Sequence, residues 1–195
     1  MALTAERPMT PEEFFAWQEG REELYELVDG VPVMMLKMMT GTSVQHDRVT
    51  VNVIATLHGQ LRGSGCRPTT DDVSVRTKIN GVRRPDVTVE CGEMVRDTYE
   101  AREPRLVVEV LSPSTMNIDR FRKLEEYKRH PTLDAILLLD TRAPEATLYR
   151  RDAEGGWAQE DHAGPDAVIA LPTIGATLAL AEVYEGVGFE IASPS

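Results

Sequence analysis

Glu109 sits inside an otherwise apolar run, LVVEVLSPST (106–115). The aliphatic and β-branched residues around it read as a strand buried on both faces. A buried carboxylate without a partner is costly enough to take up a proton or to demand a cation. Asp86, in the stretch RRPDV (83–87), is the first candidate for that company. It opens the strand before the one that carries Glu109, so neighbouring strands would bring both carboxylates level. Two carboxylates so placed repel unless a proton or a cation joins them. An all-oxygen site of this kind suits Mg²⁺ or Mn²⁺ rather than zinc. Lys123 is the second candidate. With Asp119 and Tyr127 it forms an i, i+4, i+8 series on one helix face, which can fold back over the end of Glu109's strand. Such a set could assist hydrolysis through a metal, or perform metal-free acid/base chemistry with the two carboxylates. Each residue also has a plain structural reading: Asp86 as a turn residue after proline, Lys123 as half of a solvated pair with Asp119.

The elements that would position these residues are legible in the pattern. Thr10-Pro11-Glu12-Glu13 carries the residues of a helix cap and first turn, with Phe14 and Trp17 on one apolar face. LYELV and VPVMM flank Asp29-Gly30, a hairpin signal. Val49, Val53, Ile54, Leu57 and Leu61 recur at helical spacing between about residues 43 and 61. Strands are expected at 72–79 and 85–91, joined by Asn80-Gly81, and at 105–111. A helix over about 118–129, with Phe121 and Leu124 able to reach core, stops before Pro131. Residues 133–140 form a further buried strand, and the segments at 146–150, near 157 and at 168–180 read as added antiparallel strands. The last strand–helix–strand step should join parallel strands by a right-handed crossover.

A chain of 195 residues with 42% hydrophobic and 27% charged residues has the composition of an ordinary soluble globule. The N-terminus lacks an apolar signal-peptide core, and no apolar run approaches a membrane span, so a cytoplasmic protein without membrane contact is expected. Cys66 and Cys91 are too few for a disulfide framework and lack metal-site spacing; both are expected reduced. The formal charge of −11 argues against a general DNA-coating surface, though not against a local basic patch. No Gly-x-Ser-x-Gly elbow is present, which disfavours a serine hydrolase, and Ser112 reads as a turn residue.

Taken together, Pro85-Asp86, Glu109 and Lys123 resemble the PD-(D/E)XK nuclease superfamily. Its pattern is a Pro-Asp, then an acidic residue, a spacer and a lysine, on a helix–three-strand–helix–strand core. Here Leu111 stands where the lysine would be, and Lys123 fits the branches that supply it from the next helix. The closer resemblance is to the Uma-type restriction endonuclease family. It rests on Thr10-Pro11-Glu12-Glu13-Phe14, Tyr25-Glu26-Leu27-Val28-Asp29-Gly30, His46, Pro85-Asp86-Val87, the run from Val108 to Thr115, Asp119, Lys123 and Tyr127, and spans about residues 9 to 185. The family's glycine and aromatic-rich strand after the lysine helix is replaced here by HPTLDAILLLD.

The resemblance implies an α/β fold: a restriction-endonuclease-like mixed sheet with flanking helices, an N-terminal hairpin and extra C-terminal strands. One domain over residues 1–195 is expected, with its core at about 43–140. The implied activity is that of an Mg²⁺- or Mn²⁺-dependent endonuclease hydrolysing phosphodiesters, with DNA as the expected nucleic acid. Asp86, Glu109 and the Val110 carbonyl would hold the metal, and Lys123 would orient water or stabilise the developing charge. Glu26 is open between completing the metal site, binding Lys123 and lying on an exposed hairpin. His46 reads as a supporting or helix-start residue. Asp119 and Tyr127 would position Lys123, with core packing the other reading of Tyr127. Arg83, Arg84, Arg120 and Arg122 are candidate phosphate contacts, with Lys128 and Arg129 nearby. The alternative is a catalytically inactive nuclease fold that binds nucleic acid or a protein. A homodimer is left open.

Overall fold

A computed structural model describes residues 7–35, 42–111 and 117–189, with the backbone alone at 117–119. The first helix, α1 (Pro11–Gln18), starts as its residues dictate: the Thr10 hydroxyl accepts from the Glu13 N–H, and the Glu13 carboxylate accepts from the Thr10 N–H. An antiparallel hairpin follows, β1 (Tyr25–Val28) and β2 (Val31–Met34). Its turn residues, Asp29 and Gly30, both have positive φ, 51° and 79°, the backbone that a tight two-residue turn needs. A Cβ on Gly30 would lie 2.4 Å from the Pro8 side chain, so glycine also lets the chain pass closely there.

The helix α2 (Val44–Gln60) is capped by the Ser43 hydroxyl, which accepts from the His46 N–H, and buries Val49, Val53 and Leu57. Then come β3 (Cys66–Thr70), β4 (Val75–Lys78), β5 (Gly81–Arg83), β6 (Val87–Cys91), β7 (Pro104–Leu111) and α3 (Asn117–Lys128). The chain continues through β8 (Ala135–Asp140), β9 (Glu145–Arg151), β10 (Trp157–Ala163), β11 (Val168–Leu171), β12 (Ala176–Ala179) and α4 (Leu180–Val183). Six strands form the central sheet in the order β10-β9-β8-β7-β6-β3. Only β7 and β8 run parallel within it, with α3 as their connection. A four-stranded sheet, β2-β1-β5-β4, carries the N-terminal hairpin, and β11 pairs with β12.

Two expectations are corrected here. The segment at 72–79 is not the first strand of the central sheet; β4 folds back on β5 across Asn80-Gly81 and joins the hairpin sheet. The central strand preceding β6 is β3, whose residues CRPTT carry no apolar alternation and gave no strand signal. The cysteines are the second correction. Cys66 and Cys91 are direct cross-strand partners on β3 and β6 and are joined by a disulfide. Their separation of 25 residues hides a pairing that register alone creates.

The sheet buries both faces, and strand alternation decides what goes where. Val108, Val110, Leu137 and Leu139 pack with α2 residues Val49, Val53 and Leu57. Val107, Ile136 and Leu138 pack with Leu124 and Tyr127 of α3. Burying each such side chain contributes about 1.5–3 kcal/mol. Glu109 therefore shares the α3 face with Val107 and Leu111. Phe121 departs from its expected core role: it is 68% exposed, while Leu124 is buried.

Candidate active site

Asp86 immediately precedes β6, whose Val87 pairs with Val108 of β7. One residue further along the antiparallel register, Asp86 comes level with Glu109. The Asp86 Oδ2 accepts from the Val110 N–H at 2.9 Å and lies 3.3 Å from His46 Nε2. A strand residue's N–H and C=O point to the same side, so the Val110 carbonyl also faces the Asp86 strand. His46 thus donates its backbone N–H to the Ser43 cap of α2 and braces Asp86 with its ring.

Glu109 is held from α3. The Tyr127 hydroxyl donates to Glu109 Oε1 at 2.7 Å, and Lys123 Nζ stands 3.7 Å from the same oxygen. Tyr127 is wholly buried, and burial beside Glu109 pushes its own pKa well up. The carboxyl of Glu109 is pushed up to about 7 by burial; Lys123 pulls it down, but the charges on Asp86 and Glu26 push it up. Of the two readings of Tyr127, positioning Lys123 and core packing, the second matches its burial, and its hydroxyl grips the Glu109 carboxylate directly. The side chain of Asp119 lies outside the described residues, as does Ser112.

Glu26 is not on an exposed hairpin: it is 7% exposed, and both of its oxygens are engaged. Oε1 accepts from the Arg84 N–H at 3.0 Å and meets Lys123 Nζ at 3.0 Å, while Oε2 meets Arg83 Nη1 at 2.9 Å. Burial alone would raise its pKa, yet Lys123 and Arg83 hold it below the usual carboxylate range. Of its three readings, binding Lys123 is the one with these contacts. A carboxylate committed to two cations and an amide is a poor metal ligand.

The arginines separate. Arg83 and Arg84 are 1% and 3% exposed, so their expected phosphate contacts are corrected. Arg83 ties Glu26 to Glu126, and Arg84 donates to the carbonyls of Tyr25, Asp71 and Asp72. Arg122 is paired with Asp29 and Glu126. Arg120 borders the small cavity formed with Glu109, Leu111, Lys123, Leu124, Tyr127 and Leu138. Among the described residues no group of three or more His, Cys, Asp or Glu side chains gathers as a metal nest. The oxygen set at hand is two carboxylates and one carbonyl, which fits an ion such as Mg²⁺ that binds through one or two carboxylates and keeps its waters.

A family model described as "Putative restriction endonuclease", Uma2, matches residues 11–181. The chain belongs to the Uma2 family. A relative in Synechocystis sp., the uncharacterized protein slr1290, is 31% identical over 183 residues, 93% of this chain and 94% of its own. Among solved structures, a protein of Anabaena variabilis titled a putative nuclease belonging to DUF820 superposes with a TM-score of 0.71. It is 16% identical, and the match covers 91% of this chain and 98% of that one, which shows the shared fold. No helix among the described residues is long and apolar enough to cross a membrane.

In this Uma2 chain the residue that sequence reasoning missed is Glu126. It is 4% exposed and meets Arg83 at 2.7 Å, Lys78 at 3.1 Å and Arg122 at 3.2 Å. Burial would raise its pKa, but the hydrogen bonds from Arg83 and Lys78 hold it down to about 2. In sequence it reads as half of the Glu125-Glu126 pair balancing a solvated helix face. Its position three residues after Lys123, on the turn that meets the sheet, was the available signal.

Proposed function

We propose that this nuclease-family chain is a divalent-metal-dependent endonuclease that hydrolyses phosphodiester bonds, with DNA as its substrate. The observation that carries the reading is the level pair Asp86 and Glu109 with Lys123 Nζ 3.7 Å from the latter. Asp86, Glu109 and the Val110 carbonyl are the residues that would hold Mg²⁺ or Mn²⁺. When bound, the ion supplies Lewis acidity, polarising the scissile phosphate and making a nearby water more acidic. The remaining work falls to the chain. The Val110 N–H and His46 fix the Asp86 carboxylate, and Tyr127 fixes that of Glu109. Lys123, shared between Glu26 and Glu109, is a preorganised charge beside the reacting phosphate. Arg120 lies at the edge of the same cavity and contacts the phosphate chain.

The test is cleavage of plasmid and single-stranded DNA with Mg²⁺ or Mn²⁺, against a chelator control. Metal-dependent cleavage lost in Asp86→Asn and Glu109→Gln supports the reading. Cleavage that survives the chelator would favour metal-free acid/base hydrolysis. Nucleic-acid binding with no cleavage under any metal would favour the inactive nuclease-fold alternative.

A further inference from the structure

A row of side chains runs through the site and beyond it. Glu109 pairs with Leu138 on β8, Leu138 with Thr147 on β9, and Thr147 with Asp161 on β10. Directly paired residues share a face of the sheet, so the row leads from the carboxylate pair towards the edge strand. Over its far half lies a cleft of about 400 Å³ whose lining includes, among the described residues, Leu111, Leu138, Arg120, Asp140, Glu145, Thr147 and Asp161. It shares Leu111, Arg120 and Leu138 with the small cavity around Glu109 and Lys123. The two adjoin, with Arg120 at the junction.

The lining selects among the parts of a nucleic acid. Asp140 is paired with Arg142, but Glu145 and Asp161 outnumber Arg120 along the lining, so the cleft disfavours a phosphate and the backbone does not follow it. Arg142 donates to both Asp140 oxygens and, with the Arg120 charge contributing, holds its pKa below the usual carboxylate range, so Asp140 stays ionised with an Oδ2 lone pair beside that ion pair. Asp161 accepts from the Thr147 hydroxyl at 3.0 Å and from the Gln159 amide, which fix its orientation and leave one Oδ2 lone pair for a further donor. Half-buried Leu111, with Leu138 buried beside it at 4% exposure, supplies the apolar surface that a flat ring covers. A nucleobase has such a ring, and the amino edges of cytosine and adenine donate to acceptors like these. The volume falls at the small end of roughly 300–1,000 Å³ typical of small-ligand pockets. A base can reach it only outside the duplex stack.

Resting on the endonuclease reading, we propose that this cleft receives the base of a nucleotide next to the scissile phosphate, unpaired and turned out of its strand, with a preference for an amino-bearing base. Single-stranded or locally opened nucleic acid is then the substrate class.

The experiment measures binding and cleavage separately. Binding is read with Ca²⁺ in place of Mg²⁺, using oligothymidylate strands that carry one adenine, one cytosine or one abasic site. Cleavage of the same strands is read with Mg²⁺. The protein is compared with Thr147→Trp, which fills the cleft, and with Asp161→Asn, which keeps its shape. The parent should bind and cleave the adenine and cytosine strands at least about fivefold better than the abasic or all-thymine strands. Thr147→Trp should lose that advantage while binding the abasic strand as the parent does. Asp161→Asn should narrow the advantage over thymine, and it decides the matter if Thr147→Trp does not fold. A parent without base preference, or variants that keep it, would overturn the cleft. Cleavage without base preference would do so while sparing the endonuclease reading. Base-selective binding without any cleavage would do the reverse.

Discussion

At Glu109 the chain places a charge where burial and two neighbouring carboxylates oppose it and Lys123 and the Tyr127 hydroxyl favour it. The carboxyl pushed up to about 7 has a definite consequence for stability in the absence of metal. Below about pH 4.5 it is protonated in both the folded and unfolded chains and costs nothing. As pH rises from there to about 7, the unfolded chain ionises first, so stability falls across that window and stays lowered above it. His130, pushed down to about 4 by burial and by Arg151, slopes the other way over part of the range. The informative quantity is therefore the difference between variant and parent. Glu109→Gln should gain on the parent progressively between about pH 4.5 and 7 in urea melts. It should also lose any rise of melting temperature that Mg²⁺ gives the parent. A difference that stays flat with pH would show that Glu109 ionises normally. Lys123 is the second residue to test. Removing a preorganised charge that acts on the transition state costs about 10²–10³ in rate. Lys123→Ala should lose cleavage by that factor while keeping metal-dependent stabilisation. Lys128→Ala, whose ammonium sits 3.3 Å from Glu125 at the helix's far end, should cleave near the parent rate. Equal rates for Lys123→Ala and parent would remove the lysine from the mechanism.

Two elements position the site, and they are fastened to each other by charge. The hairpin sheet contributes Glu26, Lys78 and Arg83, while α3 contributes Arg122, Lys123 and Glu126. Arg83 is the hub, 1% exposed and bonded to both buried carboxylates. Breaking a buried ion pair from one side leaves an uncompensated charge, typically at about 3–5 kcal/mol. Arg83→Leu should lower the melting temperature sharply, and Arg83→Lys should recover only part, because lysine lacks the planar fork. Thermal melts without metal check both, and a neutral Arg83→Leu would mean the network is solvated. The central motif was legible because its residues depart from their surroundings: a glutamate in an aliphatic strand, a Pro-Asp, an Asp-Gly turn. Arg83, Glu126 and β3 were not. Charged residues on strands and helices ordinarily face water, and only the packing of the hairpin sheet on α3 turns these two inward. The Cys66–Cys91 disulfide belongs to the same class, since cross-strand register between distant segments leaves no local mark. Closing a loop of this length is worth roughly 3 kcal/mol, so reduction or the double change Cys66→Ser/Cys91→Ser should lower the melting temperature, most visibly at the β3 edge.

The whole molecule carries 32 acidic and 21 basic residues, for a net charge of −11. A polyanion approaching it gains little from long-range attraction, so on the proposed endonuclease function its binding should rest on few contacts near the site. Four arginines could have supplied a phosphate track by sequence, but three are committed to partners within the chain. Arg83 and Arg84 are buried, and Arg122 is tied to Asp29 and Glu126. That leaves Arg120, at the junction of the two cavities, as the one of the four bordering them among the described residues. Each neutralised phosphate steepens the fall of log affinity with log salt by about 0.7 for single strands and 0.9 for duplex. Proteins that coat DNA through many contacts show slopes near −10. Here the slope should be no steeper than about −3. Arg120→Ala should flatten it by about one, weakening all sequences alike in its phosphate contribution. Fluorescence anisotropy between about 50 and 200 mM salt measures both. A steep slope in the parent, unmoved by Arg120→Ala, would mean that the nucleic acid lies across a different, basic face of the molecule and that the carboxylate pair is not where its backbone is held.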